Sequence, residues 1–263
     1  MELIIYGAQG YALSAYEALT TLYPERHIPF FMVTTIEGNP FSLRGIPVKE
    51  IADVSKEMTS DEKTDTEIII ATPENVQAQI EETLIENGFD NIKKLDFKYY
   101  SELMSLYHEE SGRFLPLKPA SGCSDIPDVS VYMAKSHVDK ELKESFTLPE
   151  FVHPIQVGAA NTDMRISDAV DNDGINISAR NYNYCELTGL YWVWKNVLNG
   201  QNDAQIEASD YYGFCQYRRM MLFSGELFAR LKANDVDVVL PYPLVYEPDI
   251  EEHIYIICFE SCK

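Results

Sequence analysis

Leu3-Ile4-Ile5-Tyr6-Gly7-Ala8-Gln9-Gly10-Tyr11-Ala12 decides the fold class. Four apolar residues of strand type run into a glycine turn, and a helical pattern then continues from Tyr11 to Leu22. The same alternation repeats outward. Phe30 to Val33 reads as a second strand, followed by the turn Glu37-Gly38-Asn39-Pro40, and Ile68 to Ala71 reads as a third. Thr72-Pro73-Glu74 then supplies a helix start, with Pro at the first helical position and an acid in the first turn. The helix through Ile80, Leu84 and Ile85 closes at Asn87-Gly88, and Ile92 to Phe97 forms a further strand. An α/β domain with a small parallel sheet is predicted over residues 1–112.

Residues 113–128 hold three prolines and two glycines with no period when read with Ser111 and Gly112, which predicts a linker. A second α/β domain follows over residues 129–263. Strands are predicted at Val129 to Ala134, Pro154 to Val157, Tyr211 to Tyr217 and Val236 to Leu240, with helices at Tyr184 to Val197 and Glu226 to Lys232. Asn161 to Asn183 is rich in Asp, Asn and Gly and lacks an apolar period, so it reads as a long loop of the kind that carries function.

Composition narrows the function. The chain has 263 residues, 46% of them apolar, with 17 Tyr and 12 Phe, which is enough to build a core. Forty-two acidic against 21 basic residues give a formal charge of -21, a field that repels nucleic acid and anionic lipid. A bound anion would need a local cationic cluster against that background. No apolar run reaches the ~20 residues of a membrane helix, and the N-terminus lacks a signal-peptide pattern, so a cytoplasmic location without a transmembrane segment is expected. Cys123, Cys185, Cys215, Cys258 and Cys262 show no C-x-x-C pair and are read as reduced thiols.

Gly7-Ala8-Gln9-Gly10 sits where a phosphate-cradling turn belongs, and Gly7, Gln9 and Gly10 are the candidate nucleotide-binding residues of the first domain. Gln9 replaces the second glycine of the dinucleotide fingerprint, and Thr34 and Thr35 stand where a ribose-binding acid would end the second strand. Both departures argue against NAD and leave a tight structural turn as the other reading.

In the second domain, Glu186 opens a helix that places Leu187, Leu190, Tyr191 and Trp194 on one face, read mainly as core. Phe214-Cys215-Gln216-Tyr217-Arg218-Arg219 puts two arginines at a strand end. They form either the sought anion site or a solvated pair.

The stretches "IIYGAQGYA" and "LRGIPVKEI" resemble the Rossmann-like domains fused to bacterial sugar-modifying enzymes. "VHPIQVGAA", "ISARNYNYCELTGLYWVWKN" and "DYYGFCQYRRMMLF", in that order, resemble a bacterial family of formally unknown function. That family occurs in capsular and exopolysaccharide biosynthesis proteins and is generally regarded as GT-A-like glycosyltransferases. The likeness covers about Val129 to His253. It implies transfer of a sugar from a nucleotide-sugar donor to a saccharide or lipid-linked acceptor. Two departures stand out. The family pattern usually has His where this chain has Gln216, which cannot act as an acid or base. The family domain also continues beyond "YEPDIEEHIY", so a C-terminally truncated second domain is expected.

Sugar transfer requires that the charge on the departing diphosphate be met by a divalent metal or by fixed cations. The metal candidates are Asp171 and Asp173, in an Asp-x-Asp within the long loop and preferred over Asp235 and Asp237, for Mn or Mg. Arg218 and Arg219, with Tyr217, are the expected diphosphate partners. Gln156, Asn176 and Asn181 are expected to line the donor, and Glu186 and Gln216 are the catalytic candidates. The rival readings are a non-catalytic sugar-nucleotide-binding or scaffold protein, and an NAD-dependent sugar-modifying enzyme using the Gly7 turn.

Overall fold

A computed structural model describes residues 2–112, 117–120, 126–142, 147–199, 209–219 and 223–247. These group into two compact units. Residues 2–112 pack with 239–247, and the described residues from Leu117 to Val238 form the second unit. Both are mixed α/β layers built on mainly parallel sheets.

In the first unit the chain runs β1 (Leu3–Tyr6), α1 (Gly10–Leu22), β2 (Phe31–Val33), β3 (Ser42–Leu43), β4 (Ile46–Glu50), α2 (Ile51–Glu57), α3 (Ser60–Asp65), β5 (Glu67–Ile70), α4 (Glu74–Glu86), β6 (Ile92–Lys94) and α5 (Phe97–Glu110). Strand order is β3-β4-β2-β1-β5-β6, parallel except for the β3–β4 hairpin. Strand residues alternate between two cores. Leu3, Ile5, Phe31 and Ile69 meet Leu13, Leu103 and Met104 on one face. Ile4, Met32, Ile68 and Ile70 meet Val54, Leu84 and Phe89 on the other. Both faces are covered, which is why the strands read as unbroken apolar runs.

The second unit contains β7 (Val129–Lys135), β8 (Val152–Gln156), β9 (Ala169–Val170), α6 (Asn181–Tyr184), α7 (Leu187–Trp192), β10 (Tyr211–Gln216) and α8 (Gly225–Ala233). A π-helical turn at Val193–Leu198 extends α7. The sheet is parallel throughout, in the order β10-β7-β8-β9. Val131, Met133 and Cys215 lie in one core, and Tyr132, Ile155, Trp192 and Val193 in the other.

Several expectations are corrected. The strand predicted over Ile92 to Phe97 ends at Lys94, because the Asp96 carboxylate accepts the Tyr99 N–H at 2.8 Å and starts α5. The long loop contains β9, a 3-10 turn at Ser178–Arg180 and α6. Val236 to Leu240 is irregular rather than a strand, and from Val239 the chain packs with the first unit. The predicted linker partly lies outside the described residues. The predicted helix from Tyr184 is broken at Cys185, whose φ of 47° is left-handed.

That break sets the face that α7 buries. Thr188, Gly189, Trp192, Val193, Asn196 and Val197 are inside. Leu187, Leu190 and Trp194, expected in the core, are instead 52%, 43% and 47% exposed. Thr188 and Asn196 turn inward because buried polar partners hold them. The Lys195 ammonium lies 3.6 Å from the centroid of the Trp194 ring.

Candidate functional site

In open parallel sheets the ligand crevice lies at the carboxyl ends of the strands, where strand order reverses. The second unit reverses beside β7: β8 and β9 lie to one side and β10 to the other. The chain leaves β10 at Gln216 directly into Tyr217-Arg218-Arg219, and leaves β8 into Val157-Gly158-Ala159. Asp171 to Asp173 follow β9.

The strand-end loops are built around Asp171, which is wholly buried. Its carboxylate accepts the N–H groups of Gly158 at 2.9 Å and Ala159 at 3.0 Å, and the hydroxyls of Ser178 at 2.5 Å and Thr188 at 2.6 Å. Successive backbone N–H groups of this kind form a nest for an anion, and here the protein's own carboxylate fills it. Gly158 is required at the turn: its φ is 67°, and a Cβ there would stand 2.7 Å from the Asn181 amide.

Asn181 Nδ2 donates to the Cys185 carbonyl at 2.6 Å and to Thr188 Oγ1 at 3.0 Å, clamping the strained turn before α7. The next residue is Glu186, whose carboxylate accepts a hydrogen bond from Gln216 Nε2. The structure therefore brings together the two catalytic candidates, Glu186 and Gln216. Tyr217 is buried and its hydroxyl accepts from Arg218 Nε at 2.6 Å, while Arg218 and Arg219 are exposed. Among the described residues neither arginine is ion-paired. In so acidic a chain, two adjacent exposed guanidinium groups concentrate positive charge at this strand end.

Other expectations do not survive in their first form. Gln156 does not line a donor site: it is wholly buried, donates to the Met164 carbonyl at 2.8 Å and accepts the Ile166 N–H at 3.0 Å, pinning the loop. Asn176 is spent on a local turn, donating to the Asp173 and Gly174 carbonyls and accepting the Ser178 N–H. Asp171 and Asp173 do not suit a metal. Both oxygens of Asp171 are taken by four donors, and Asp173 Oδ1 accepts the Trp192 indole N–H at 2.6 Å. Among the described residues no three His, Cys, Asp or Glu side chains converge as ligands.

Gly158, Ser178, Thr188 and Cys185 are site-building residues that the sequence reading missed. A signal existed in the glycine two residues past a strand and in the two hydroxyls flanking "NYNYCEL", but their common partner Asp171 is visible only in three dimensions.

The first unit also reverses order, between β1 and β5. Gly7 fills that position with a φ of 128°, and a Cβ would stand 2.7 Å from the Ala71 carbonyl oxygen. Gln9 precedes α1 but turns away to Asn39 Oδ1 at 3.1 Å and the Gly38 carbonyl at 3.4 Å. Thr34 at the end of β2 pairs with the Tyr6 hydroxyl at 2.6 Å.

These features define a two-unit α/β protein with a polar, arginine-edged strand-end site in its second unit. Residues 133–256 of the chain, a stretch that runs past the end of the second unit at Val238, match the model of a domain of unknown function, DUF4422. A solved structure described as the apo form of WbbM, a bifunctional glycosyltransferase, is similar at 38% identity. The likeness covers 34% of this chain and 13% of that one, with a TM-score of 0.26. No curated protein matches the chain. Among the described residues no helix is long and apolar enough to cross a membrane.

Proposed function

We propose that the second unit is a glycosyltransferase domain acting in surface-polysaccharide assembly, with a nucleotide-sugar donor and a saccharide or lipid-linked acceptor. The observation that carries this reading is the juxtaposition, at the carboxyl ends of one parallel sheet, of a paired Glu186 and Gln216 with Arg218 and Arg219, which follow directly and have no ion pair among the described residues. The three motifs resembling a polysaccharide-biosynthesis family support it, and they lie largely in the stretch that matches the domain of unknown function.

In this reading the arginines hold the donor diphosphate and meet its charge as the bond from the sugar carbon to the diphosphate oxygen breaks. The acceptor hydroxyl oxygen bonds to that carbon, and Glu186 takes its proton. Gln216 has no proton-transfer chemistry and orients Glu186 through its amide. Asn181 belongs to the positioning set, holding the turn that presents Glu186. Asp171, with both oxygens taken by four donors, has none left for Mn or Mg, and in this reading the arginines supply the positive charge.

The test is a thermal-shift panel of UDP-, GDP- and CDP-sugars with the wild type and Arg218→Ala, since a ligand that binds only the folded state raises its melting temperature. The expected result is a shift with one nucleotide class that Arg218→Ala abolishes. Equal shifts in both proteins overturn the diphosphate assignment.

A further inference from the structure

The face of the first unit formed by α1 and α5 carries an extended segment from far later in the chain. Val245 packs on the core cluster that contains Leu13, Leu103 and Met104, and its N–H donates to Ser14 Oγ at 3.3 Å. The Tyr242 and Ser105 hydroxyls are hydrogen-bonded at 2.5 Å, and the Tyr242 ring stacks on His108 with centroids 5.5 Å apart and planes 15° from parallel. Glu247 accepts the Arg44 N–H at 2.8 Å and lies 3.6 Å from its guanidinium, which also holds Glu17 at 2.6 Å. Apolar, aromatic and ionic contacts thus recur along one short stretch.

This stretch also crosses the beginning of α1. A Cβ added at Gly10 would stand 3.5 Å from the Val245 carbonyl oxygen and 3.8 Å from Leu244 Cβ. Gly10 is the first residue of the helix, directly after the glycine turn. The first N–H groups of a helix lack intrahelical acceptors and form its electropositive end. A backbone carbonyl and, at Arg44, a carboxylate of the same segment lie along this face.

We infer that residues 239–247 form a releasable strap, anchored at Tyr242, Val245 and Glu247, that covers the first turn of α1. Its attachment suits release. The segment adds no strand to the sheet, Tyr242 and Tyr246 remain substantially exposed, and the Glu247 to Arg44 pair is half-exposed and open to screening by salt. The groove between α1 and α5 is therefore a docking surface for an extended Tyr-x-x-Val-x-Glu segment, filled in cis by this chain. A ligand approaching Gly10 and the first turn of α1 from this side meets the strap first. This inference concerns the first unit and does not depend on the activity proposed for the second.

The test uses the full chain and a fluorescein-labelled peptide of residues 239–247. Val245→Asp should release the strap, and the peptide should then bind the variant at least about tenfold more tightly than the wild type, whose groove is occupied. The amides of residues 13–17 should exchange about tenfold faster in the variant, with α4 unchanged. Should Val245→Asp fail to fold, Tyr242→Ala gives the same readouts. Equal peptide binding to wild type and variant shows a groove open in solution and overturns the inference. So does absence of binding to a variant that still melts cooperatively.

Discussion

At the end of β1, beside the reversal between β1 and β5, Gly7 packs so closely that a Cβ would stand 2.7 Å from the Ala71 carbonyl oxygen. At the end of β10 the chain runs into Gln216, Tyr217 and two exposed arginines, neither of them ion-paired among the described residues. Both units are built on mainly parallel sheets whose strand order reverses, and both place an irregular segment where α/β proteins bind ligands. The difference lies in how polar groups are spent. In the first unit Gln9 donates to the turn at Gly38 and Asn39, Thr34 pairs with the Tyr6 hydroxyl, and the 239–247 segment lies beside the first turn of α1. In the second, Asp171 satisfies the loops from within, Glu186 and Gln216 bond to each other at an exposed edge, and Arg218 and Arg219 are exposed beside them with no ion pair among the described residues. Topology marks where a site can form, and the local polar accounting decides whether one does.

The sharpest break in this comparison comes from Asp171→Ala. It leaves two buried N–H groups and two hydroxyls without their acceptor, and should destabilise the second unit by about 3–5 kcal/mol. Denaturant melts followed through Trp192 and Trp194 would detect the loss, and a change below about 1 kcal/mol would show the carboxylate to be dispensable. Gly7→Ala should cost the first unit about 2–3 kcal/mol, since the new methyl meets the Ala71 carbonyl in a backbone conformation closed to alanine. A neutral result would mean that the β1 turn is looser than its geometry.

A smaller effect probes the end of the first sheet remote from its glycine turn. Burial pushes the Glu67 carboxyl up, but the hydrogen bonds and charges of Lys93 and Arg26 outweigh it and hold the group below its ordinary value of 4.5. Its contribution is therefore present above that value and is lost as the pH falls through the lower folded-state value. Glu67→Gln should destabilise the unit by about 1.5 kcal/mol at neutral pH, and the gap to wild type should narrow in acid. A gap that stays constant with pH rules out the charged pairing as its source. Smallest of all, Cys185→Gly should raise stability by up to about 1 kcal/mol by relieving the left-handed backbone before Glu186. No gain would mean that the turn stores no strain.

Much of the fold was legible because buried parallel strands are short apolar runs ended by glycine or polar turns, as in Leu3 to Tyr6 and Val129 to Lys135. The β3–β4 hairpin was not read, since its signal is only Arg44-Gly45 between two-residue and five-residue strands. Helix α5 hid behind Asp96, which ends a strand-like run and caps a helix at the same residue. In the site, Glu186 and Gln216 were named from their motifs and meet in the structure. Gln156, Asn176 and Asp171 carry the same polar chemistry but turn it inward, and nothing in a single sequence distinguishes an amide that binds a loop carbonyl from one that binds a sugar. The aromatic face of α7 was misassigned for a related reason: helical periodicity gives a face, and the break at Cys185 with the bonds of Thr188, Trp192 and Asn196 decides which face goes inside.

The central claim, that the ligand site lies at the strand ends of the second unit and not at the glycine turn of the first, is tested most directly by hydrogen exchange of the full chain with UDP-, GDP- and CDP-sugars. The account predicts that one nucleotide class slows exchange in residues 157–161 and 211–219 and leaves residues 7–14 unchanged. Protection confined to residues 7–14 would contradict it.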